Sequence, residues 1–302
     1  MTDFAKVIVI ILNWNNAGDT LQCLASLESL TYPNYGLLIV DNGSTDDSVQ
    51  RIRAVYSTVT LLETGENLGY AGGNNVGIRY ALEQGADYVL LLNDDVVLAE
   101  DAISALLKVA VQHPEAGFLG PNVYIMEQPE HLLSSGGVFA ADWCPFHRGM
   151  GERHEFHDGD GVEVDFLSGC ALLVARTAME KIGLLDEDFF TYGEDVEWCF
   201  RGKRAGFKVL LVPQAKVWHP DTRLRDENSA RVMYYITRNH LLFLRKHRLG
   251  KIALGRAWMR NWILLINWSI NPKWRHIRPK RDALWLAMRD FVLGRFGKSQ
   301  DM

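Results

Sequence analysis

Short apolar runs alternate with stretches of helical spacing through the first third of the chain. Positions 7–12 are a continuous β-branched run, which reads as a buried strand, and 19–30 place Leu21, Leu24 and Leu27 on one helical face. The alternation continues with strand 37–40, helix 46–54, strand 59–62, helix 72–83, strand 88–92 and helix 101–112, which stops before Pro114. Short strands alternating with helices predict βαβ units and a largely parallel sheet. Each strand runs into a polar cluster: Asn13-Trp14-Asn15, Asp41-Asn42-Gly43-Ser44, Asn67-Leu68-Gly69 and Asn93-Asp94-Asp95. In a parallel sheet these clusters share the carboxyl edge, where α/β folds bind ligands.

From about 120 to 160 the pattern turns irregular, which predicts loops and hairpins with a flexible segment around Gly149-Met150-Gly151. Regular patterning returns as strands at 162–165 and 170–175, a helix at 194–205, strands at 208–212 and 216–218, and a long helix at 230–246. Beyond Lys251 two amphipathic helices are expected, broken at Asn271-Pro272. The expected division is an α/β body over 1–225 and a helical region over 226–302.

Charge sharpens this division. Residues 251–302 carry 11 Lys and Arg against 3 Asp and Glu, while the other 250 residues are net −13. A basic, Trp-rich tail on an acidic body suits an anionic membrane surface, or else a helical extension that packs its aromatics on the body. The apolar stretch 262–270 is too short to span a bilayer, and the N-terminus lacks signal-peptide character. Cys23, Cys144, Cys170 and Cys199 show no metal or redox spacing and read as reduced thiols. A cytoplasmic protein is expected, peripheral on the inner face of the cell membrane if the tail binds lipid. No nucleic-acid partner is expected.

The stretch Leu90-Leu91-Leu92-Asn93-Asp94-Asp95 ends an apolar strand in two adjacent carboxylates. Their mutual repulsion needs an offset, and a hard divalent cation on oxygen ligands supplies one. Asp41 can accept a hydrogen bond from a base N–H or a ribose hydroxyl, while Ser44 or Thr45 can cap the following helix. Asn13 and Asn15 suit either a cap or the edge of a pyrimidine base. The loop from Asn67 to Asn75 opens a helix with Gly69, Gly72 and Gly73, so its backbone N–H groups suit an anion or a sugar. Glu194-Asp195 starts a helix, where carboxylates favour the dipole. Glu197 and Arg201 read as a helix-surface pair. His219 ends a strand, and Arg238-Asn239 either reach a phosphate or lie on an exposed helix face.

The ordered series Ile11-Leu12-Asn13-Trp14-Asn15, Val40-Asp41-Asn42-Gly43-Ser44-Thr45-Asp46, Asn67-Leu68-Gly69-Tyr70-Ala71-Gly72-Gly73-Asn74, Leu92-Asn93-Asp94-Asp95, Phe166-Leu167-Ser168-Gly169 and Phe189-Phe190-Thr191-Tyr192-Gly193-Glu194-Asp195-Val196-Glu197-Trp198 resembles glycosyltransferase family 2, nearest its rhamnosyltransferase-like branch. One such motif is weak evidence and six in order are strong. The resemblance spans residues 6 to about 220 and leaves out the tail. It implies a GT-A fold with a Rossmann-like, mostly parallel sheet, a nucleotide-diphosphate sugar donor linked to dTDP or UDP, Mg²⁺ or Mn²⁺, and transfer with inversion. It implies donor contacts at Asn13, Asn15, Asp41, Asn42, Asn67, Gly69, Gly72, Asn74, Asn93 and Asp94. Asp95 falls on the last acid of the family's Asp-x-Asp metal motif, whose first acid is Asn93 here, and His219 falls on a late metal-binding histidine. Asp195 falls on the general base. Asp165, Ser168, Gly169, Glu194, Trp198 and Arg238 are expected on the acceptor side, facing a saccharide or lipid-linked saccharide.

Two other classes compete with this one. A sugar-nucleotide nucleotidyltransferase wants a basic Gly-rich loop after the first strand, but Asn15-Asn16-Ala17-Gly18-Asp19 has no cation. A non-catalytic carbohydrate-binding protein on this fold needs neither Asp95 nor Asp195. A dehydrogenase is excluded because no Gly-x-Gly-x-x-Gly follows the first strand.

Overall fold

The β-branched runs form strands where the pattern places them: β1 (Val7–Asn13), β2 (Tyr35–Asp41), β3 (Thr60–Glu63) and β4 (Tyr88–Asn93). The computed structural model describes residues 4–153, 161–221 and 229–302. The four strands are parallel in the order β3-β2-β1-β4. Helices α1 (Ala17–Leu27), α2 (Ser48–Val55) and α3 (Gly69–Glu83) connect them. Val7, Val9, Ile10 and Ile11 are fully buried because helices cover both faces of the sheet. α3 approaches closely through Gly77, where a Cβ would lie 2.8 Å from Ile10 Cγ2.

The other half of the sheet departs from the expected pattern. After β5 (Val97–Leu98) and α4 (Ala102–Gln112), the chain enters β6 (Ala116–Ile125), buried along its whole length. The periodicity hides this strand because Gly117, Gly120, Pro121 and Asn122 interrupt it. Pro121 is tolerated because it lies where the register of the neighbouring strand slips, between Val212 and Lys216. That slip also makes the expected strands 208–212 and 216–218 one irregular strand. β7 (Gln128–Ser134) pairs with β6, and β8 (Gly137–Phe139) with β9 (Pro145–His147) makes a separate hairpin. Gly149-Met150-Gly151 lies in a hydrogen-bonded turn, with Gly151 N–H donating to Leu132 O.

β10 (Val162–Glu163) is followed by β11 (Ala171–Ala175), which inserts antiparallel between β4 and β6. The sheet is therefore mixed rather than largely parallel. α5 (Arg176–Ile182) and α6 (Glu194–Arg204) precede β12 (Lys208–His219), which runs parallel to β6. The helical region holds α7 (Ser229–Lys246), α8 (Lys251–Ile270), a 3₁₀ turn over Pro272–Ile277, and α9 (Arg278–Leu293). Asn271 Oδ1 accepts from Lys273 N–H and Pro272 starts the new turn, so the break falls where the sequence puts it. The expected division at 225/226 lies outside the described residues. Among the described residues no helix is long and apolar enough to cross a membrane.

Candidate active site

Asn13 ends β1 fully buried, and its Nδ2 donates to Asp41 Oδ1 at 2.7 Å and to Ser44 Oγ at 3.1 Å. Asp41 also accepts from Ser44 N–H at 3.0 Å and from Ser44 Oγ at 2.6 Å. Most of its acceptor capacity is thus spent on holding the β2–α2 turn. Asn15, at φ +53°, accepts from Thr45 N–H at 2.7 Å and ties the two strand-end loops together. Asn42 is buried and carries the tie onward. Its Nδ2 donates to Gly69 O, and its Oδ1 accepts from Leu68 N–H.

Gly69 has φ +75°, and a Cβ there would lie 2.4 Å from the Phe190 ring and carbonyl. Only glycine lets the Asn67–Gly69 turn sit against Phe190, where Ala71 N–H donates to Phe190 O. Asn67 Oδ1 accepts from Gly69 N–H at 2.8 Å. Gly72 and Asn74 are buried inside α3. A Cβ at Gly72 would meet the Leu68 side chain at 2.8 Å, so that position serves close packing rather than the expected donor contact. Asn74 Nδ2 donates to Tyr70 O within its own helix, while its Oδ1 is buried without a partner among the described residues.

The strand ends enclose a cavity of about 270 Å³ lined by Trp14, Asn16, Asn67, Tyr70, Asp94 and Arg231, with the 190–192 segment closing one side. Burial, and then the adjacent charge of Asp95, push the Asp94 carboxyl up to about 7. Asn16 Nδ2 donates to Asp94 Oδ2 at 3.1 Å. The Arg231 guanidinium lies 5.5 Å from the Trp14 ring centroid, a cation–π distance.

Asp95 faces the end of β12. Its Oδ1 is buried without a hydrogen-bond donor among the described residues and lies 3.3 Å from His219 Nε2. His219 Nδ1 contacts the Pro220 carbonyl at 2.7 Å, and that oxygen can only accept, so Nδ1 carries a proton. Nε2 then accepts from Asn93 Nδ2 at 3.3 Å. An orphaned carboxylate oxygen beside an imidazole lone pair, its ring oriented through the far nitrogen, fits a divalent cation. Among the described residues no group of three or more His, Cys, Asp and Glu side chains is arranged to hold a metal ion, and Asp95 and His219 are the pair brought together here.

The expected base sits at the start of α6. Asp195 Oδ2 accepts from Gly169 N–H and Oδ1 from Val196 N–H, each at 2.8 Å. Tyr70 O–H donates to Gly169 O at 2.6 Å. The residue after Gly169, Cys170, accepts through its carbonyl from Asn93 N–H at 2.9 Å. The Ser168-Gly169-Cys170 turn therefore joins Asp195 on one side to Asn93, His219 and Asp95 on the other. Glu194 is buried beside Asp195, and burial, then the Asp195 charge, drive its carboxyl well above the usual range.

Several expected acceptor residues are placed elsewhere. Trp198 is fully buried, packs edge-on against Phe118, and donates from Nε1 to Gly183 O, so it has no surface for an acceptor. Arg238 is not exposed. It is buried and donates to the carbonyls of Asp188, Phe189 and Gly297. Asp165 accepts from Lys203 Nζ at 2.9 Å and Phe139 N–H at 3.0 Å, and Ser168 Oγ turns to Cys170 Sγ. Glu197 is buried between Arg201 and His247 rather than on the surface.

The sequence reading missed Asn16, Tyr70, Tyr192 and Arg231 as cavity residues. Phe190 and Tyr192 both adopt positive φ, +62° and +66°. Strained non-glycine backbone collects at functional sites, but it leaves no periodic mark in a sequence.

This mixed sheet with its ligand-binding edge is a GT-A glycosyltransferase fold. A mannosyltransferase from Pyrobaculum calidifontis, solved with GDP-Man and Mn²⁺, superposes with a TM-score of 0.62 at 15% identity, covering 97% of this chain and 89% of that one. TarS residues 1–349 from S. aureus, solved with UDP-GlcNAc, superposes at 0.60 with 15% identity over 95% and 80%. The chain belongs to glycosyl transferase family 2, whose model matches residues 8–183. It is 34% identical to the N-acetylglucosaminyl-diphospho-decaprenol L-rhamnosyltransferase of Mycobacterium tuberculosis over 237 residues, 72% of this chain and 76% of the relative. Against the dTDP-rhamnosyl transferase RfbF of Shigella flexneri it is 26% identical, over 80% of this chain and 81% of the relative.

Proposed function

We propose that this glycosyltransferase moves rhamnose from dTDP-rhamnose, with inversion, to a saccharide or lipid-linked saccharide in bacterial surface polysaccharide synthesis. The observation that carries the reading is the Ser168-Gly169-Cys170 turn, which hydrogen-bonds both to Asp195 and to the strand end bearing Asn93 and Asp95. Base and leaving-group machinery are thereby held in one frame.

Asp95 and His219 would hold Mg²⁺ or Mn²⁺, which when bound supplies Lewis-acid stabilisation of the departing diphosphate. The strand-end loops of β1, β2 and β4 would bind the nucleotide, with Asn93 toward ribose or sugar. Asp195 takes the proton from the acceptor hydroxyl as it attacks the anomeric carbon, and two backbone N–H donors keep its carboxylate aimed. Glu194 is buried beside it, its carboxyl raised by burial and then by the Asp195 charge. The sugar of the reading rests on the rhamnosyltransferase relatives in both M. tuberculosis and S. flexneri, and the donor base on the S. flexneri relative alone. A lipid-linked acceptor would suit a peripheral position on a membrane.

The test is direct. Purified protein is incubated with dTDP-L-rhamnose, an N-acetylglucosaminyl-diphospho-lipid and Mn²⁺ or Mg²⁺, and the product is followed by mass spectrometry and its anomeric configuration by NMR. An inverted rhamnoside is expected. Transfer from GDP- or UDP-sugars but not dTDP-rhamnose overturns the donor, and a retained configuration overturns the single-displacement role of Asp195.

A further inference from the structure

α8 is inside out for a helix of a water-soluble protein. Its large aliphatic residues Ile252, Met259, Ile263, Ile266 and Ile270 recur at three-, four- and seven-residue spacings, which places them on one stripe. That stripe faces solvent: Ile252 is 73% exposed, Ile263 59%, Ile266 53% and Ile270 75%. The residues buried against the neighbouring helices are the small or polar ones, Ala253, Ala257 and Asn261. From Ile252 to Ile270 the stripe is about 27 Å long at the α-helical rise. Trp262 flanks it, half-exposed, and pairs with the half-exposed Trp285 of α9 at 6.0 Å between ring centroids.

Along this stretch of chain the charge has one sign, and the acids that meet it are Asp142, 3.5 Å from Arg260, and Asp282 beside Arg281. Between Lys251 and Arg281 the sequence holds eight Lys and Arg and no Asp or Glu. Arg256, Lys273, Arg275 and Arg278 are exposed, and the 3₁₀ turn that carries two of them follows the end of the stripe directly. A solvent-facing aliphatic stripe, indole rings beside it and a predominantly basic border are what an interfacial helix needs to lie in an anionic bilayer surface. α8 itself carries Arg256, Arg260, Asn261 and Asn267, and no helix among the described residues can span a membrane, so the stripe lies along a surface rather than through it.

We propose that the outward face of α8, with Trp262, Trp285 and the basic 3₁₀ turn, is a docking surface for anionic lipid bilayers. A second copy of the chain is the competing occupant. The predominantly positive border disfavours it, because a twofold contact would bring like charges together. The argument stands apart from the donor and acceptor assigned above, since it uses no residue of the cavity.

The experiment uses the full chain and vesicles of phosphatidylcholine with or without phosphatidylglycerol. The wild type is expected to co-sediment with the anionic vesicles, to lose that binding in high salt, and to show Trp emission quenched by brominated lipid. I263D/I266D changes two exposed positions, so its melting temperature should match the wild type, and its vesicle affinity should fall by ~10-fold or more. K273E/R275E should weaken binding to anionic vesicles at least ~10-fold, at roughly 1 kcal/mol for each charge removed. Absence of wild-type binding to anionic vesicles overturns the proposal. So does a concentration-dependent dimer in sedimentation velocity that I263D/I266D abolishes while vesicle binding is unchanged.

Discussion

The carboxylate of Asp195 receives the backbone N–H of Gly169 at 2.8 Å, although the two residues lie on separate elements of the chain. A Cβ at Gly169 would sit 3.1 Å from the Tyr70 hydroxyl and 3.3 Å from Asp195 Oδ2. The Asp195 carboxylate is therefore positioned by a strand-entry turn with no side chain of its own in the way.

Replacing Asp195 with Asn removes the proton acceptor while keeping size and shape. Turnover should fall by about 10²–10⁴-fold, with dTDP affinity and melting temperature unchanged. Calorimetry with dTDP alongside steady-state kinetics separates the two effects. Turnover close to wild type eliminates Asp195 as the base.

His219→Ala and Asp95→Asn should each abolish the extra thermal stabilisation that Mn²⁺ gives in the presence of dTDP, leaving that by dTDP alone. A nucleotide that binds only the folded state raises the melting temperature in proportion to occupancy. If Mn²⁺ still adds its full increment in both variants, these two residues are not its ligands.

Trp198 and Arg238 should behave as structural residues. Trp198→Ala is expected to destabilise by about 3–5 kcal/mol. Trp198→Phe loses the bond to Gly183 O and part of the buried indole's packing, and should cost about 1–3 kcal/mol. Arg238→Met leaves the carbonyls of Asp188, Phe189 and Gly297 without this donor and should cost at least ~2 kcal/mol. Denaturant unfolding measures all three. An acceptor KM that rises tenfold in Trp198→Phe without loss of stability would restore the residue to the acceptor site.

Acid should loosen the helical region through His240. Its Nε2 contacts Trp143 O and its Nδ1 accepts from Arg260 Nη2, each at 3.2 Å, so the ring is held neutral. Burial, and then the Arg260 charge, lower its pKa from 6.5 to about 4. The folded state thus binds the proton less readily than the unfolded one. The contribution to stability is complete above about pH 6.5 and is lost as pH falls toward 4. Melting temperatures between pH 7 and 4 should drop less steeply in His240→Gln than in wild type, and parallel curves refute the assignment.

The sequence made the four parallel strands β1 to β4 legible because they are short apolar runs leading into polar clusters. Those clusters also line the cavity at the strand ends. Individual roles were harder to read. Trp198 follows the acid pair closely in sequence, yet three residues along a helix turn it to the core face. Arg238 looked like a free cation because its partners are carbonyls far away in the chain. β6 was hidden by its glycines and Pro121, whose burial depends on a register slip in a strand nearly a hundred residues later. The outward apolar stripe of α8 has the same periodicity as a buried one, so only the packing of Ala253 and Ala257 shows which face it takes.

The bracing of the 188–192 turn carries a temporal consequence. Asn239 Nδ2 donates to the carbonyls of Phe189, Thr191 and Tyr192, and Arg238 joins Asp188 and Phe189 to Gly297. The turn that launches Glu194 and Asp195 is thus fastened by residues made some fifty positions after it. During synthesis β1 to β4 can form while this clasp is still missing, since N-terminal units of structure condense as the chain emerges. A nascent chain stalled before residue 238 should therefore hold a folded first half yet stay silent as a transferase, which would make α7 a checkpoint on when activity begins.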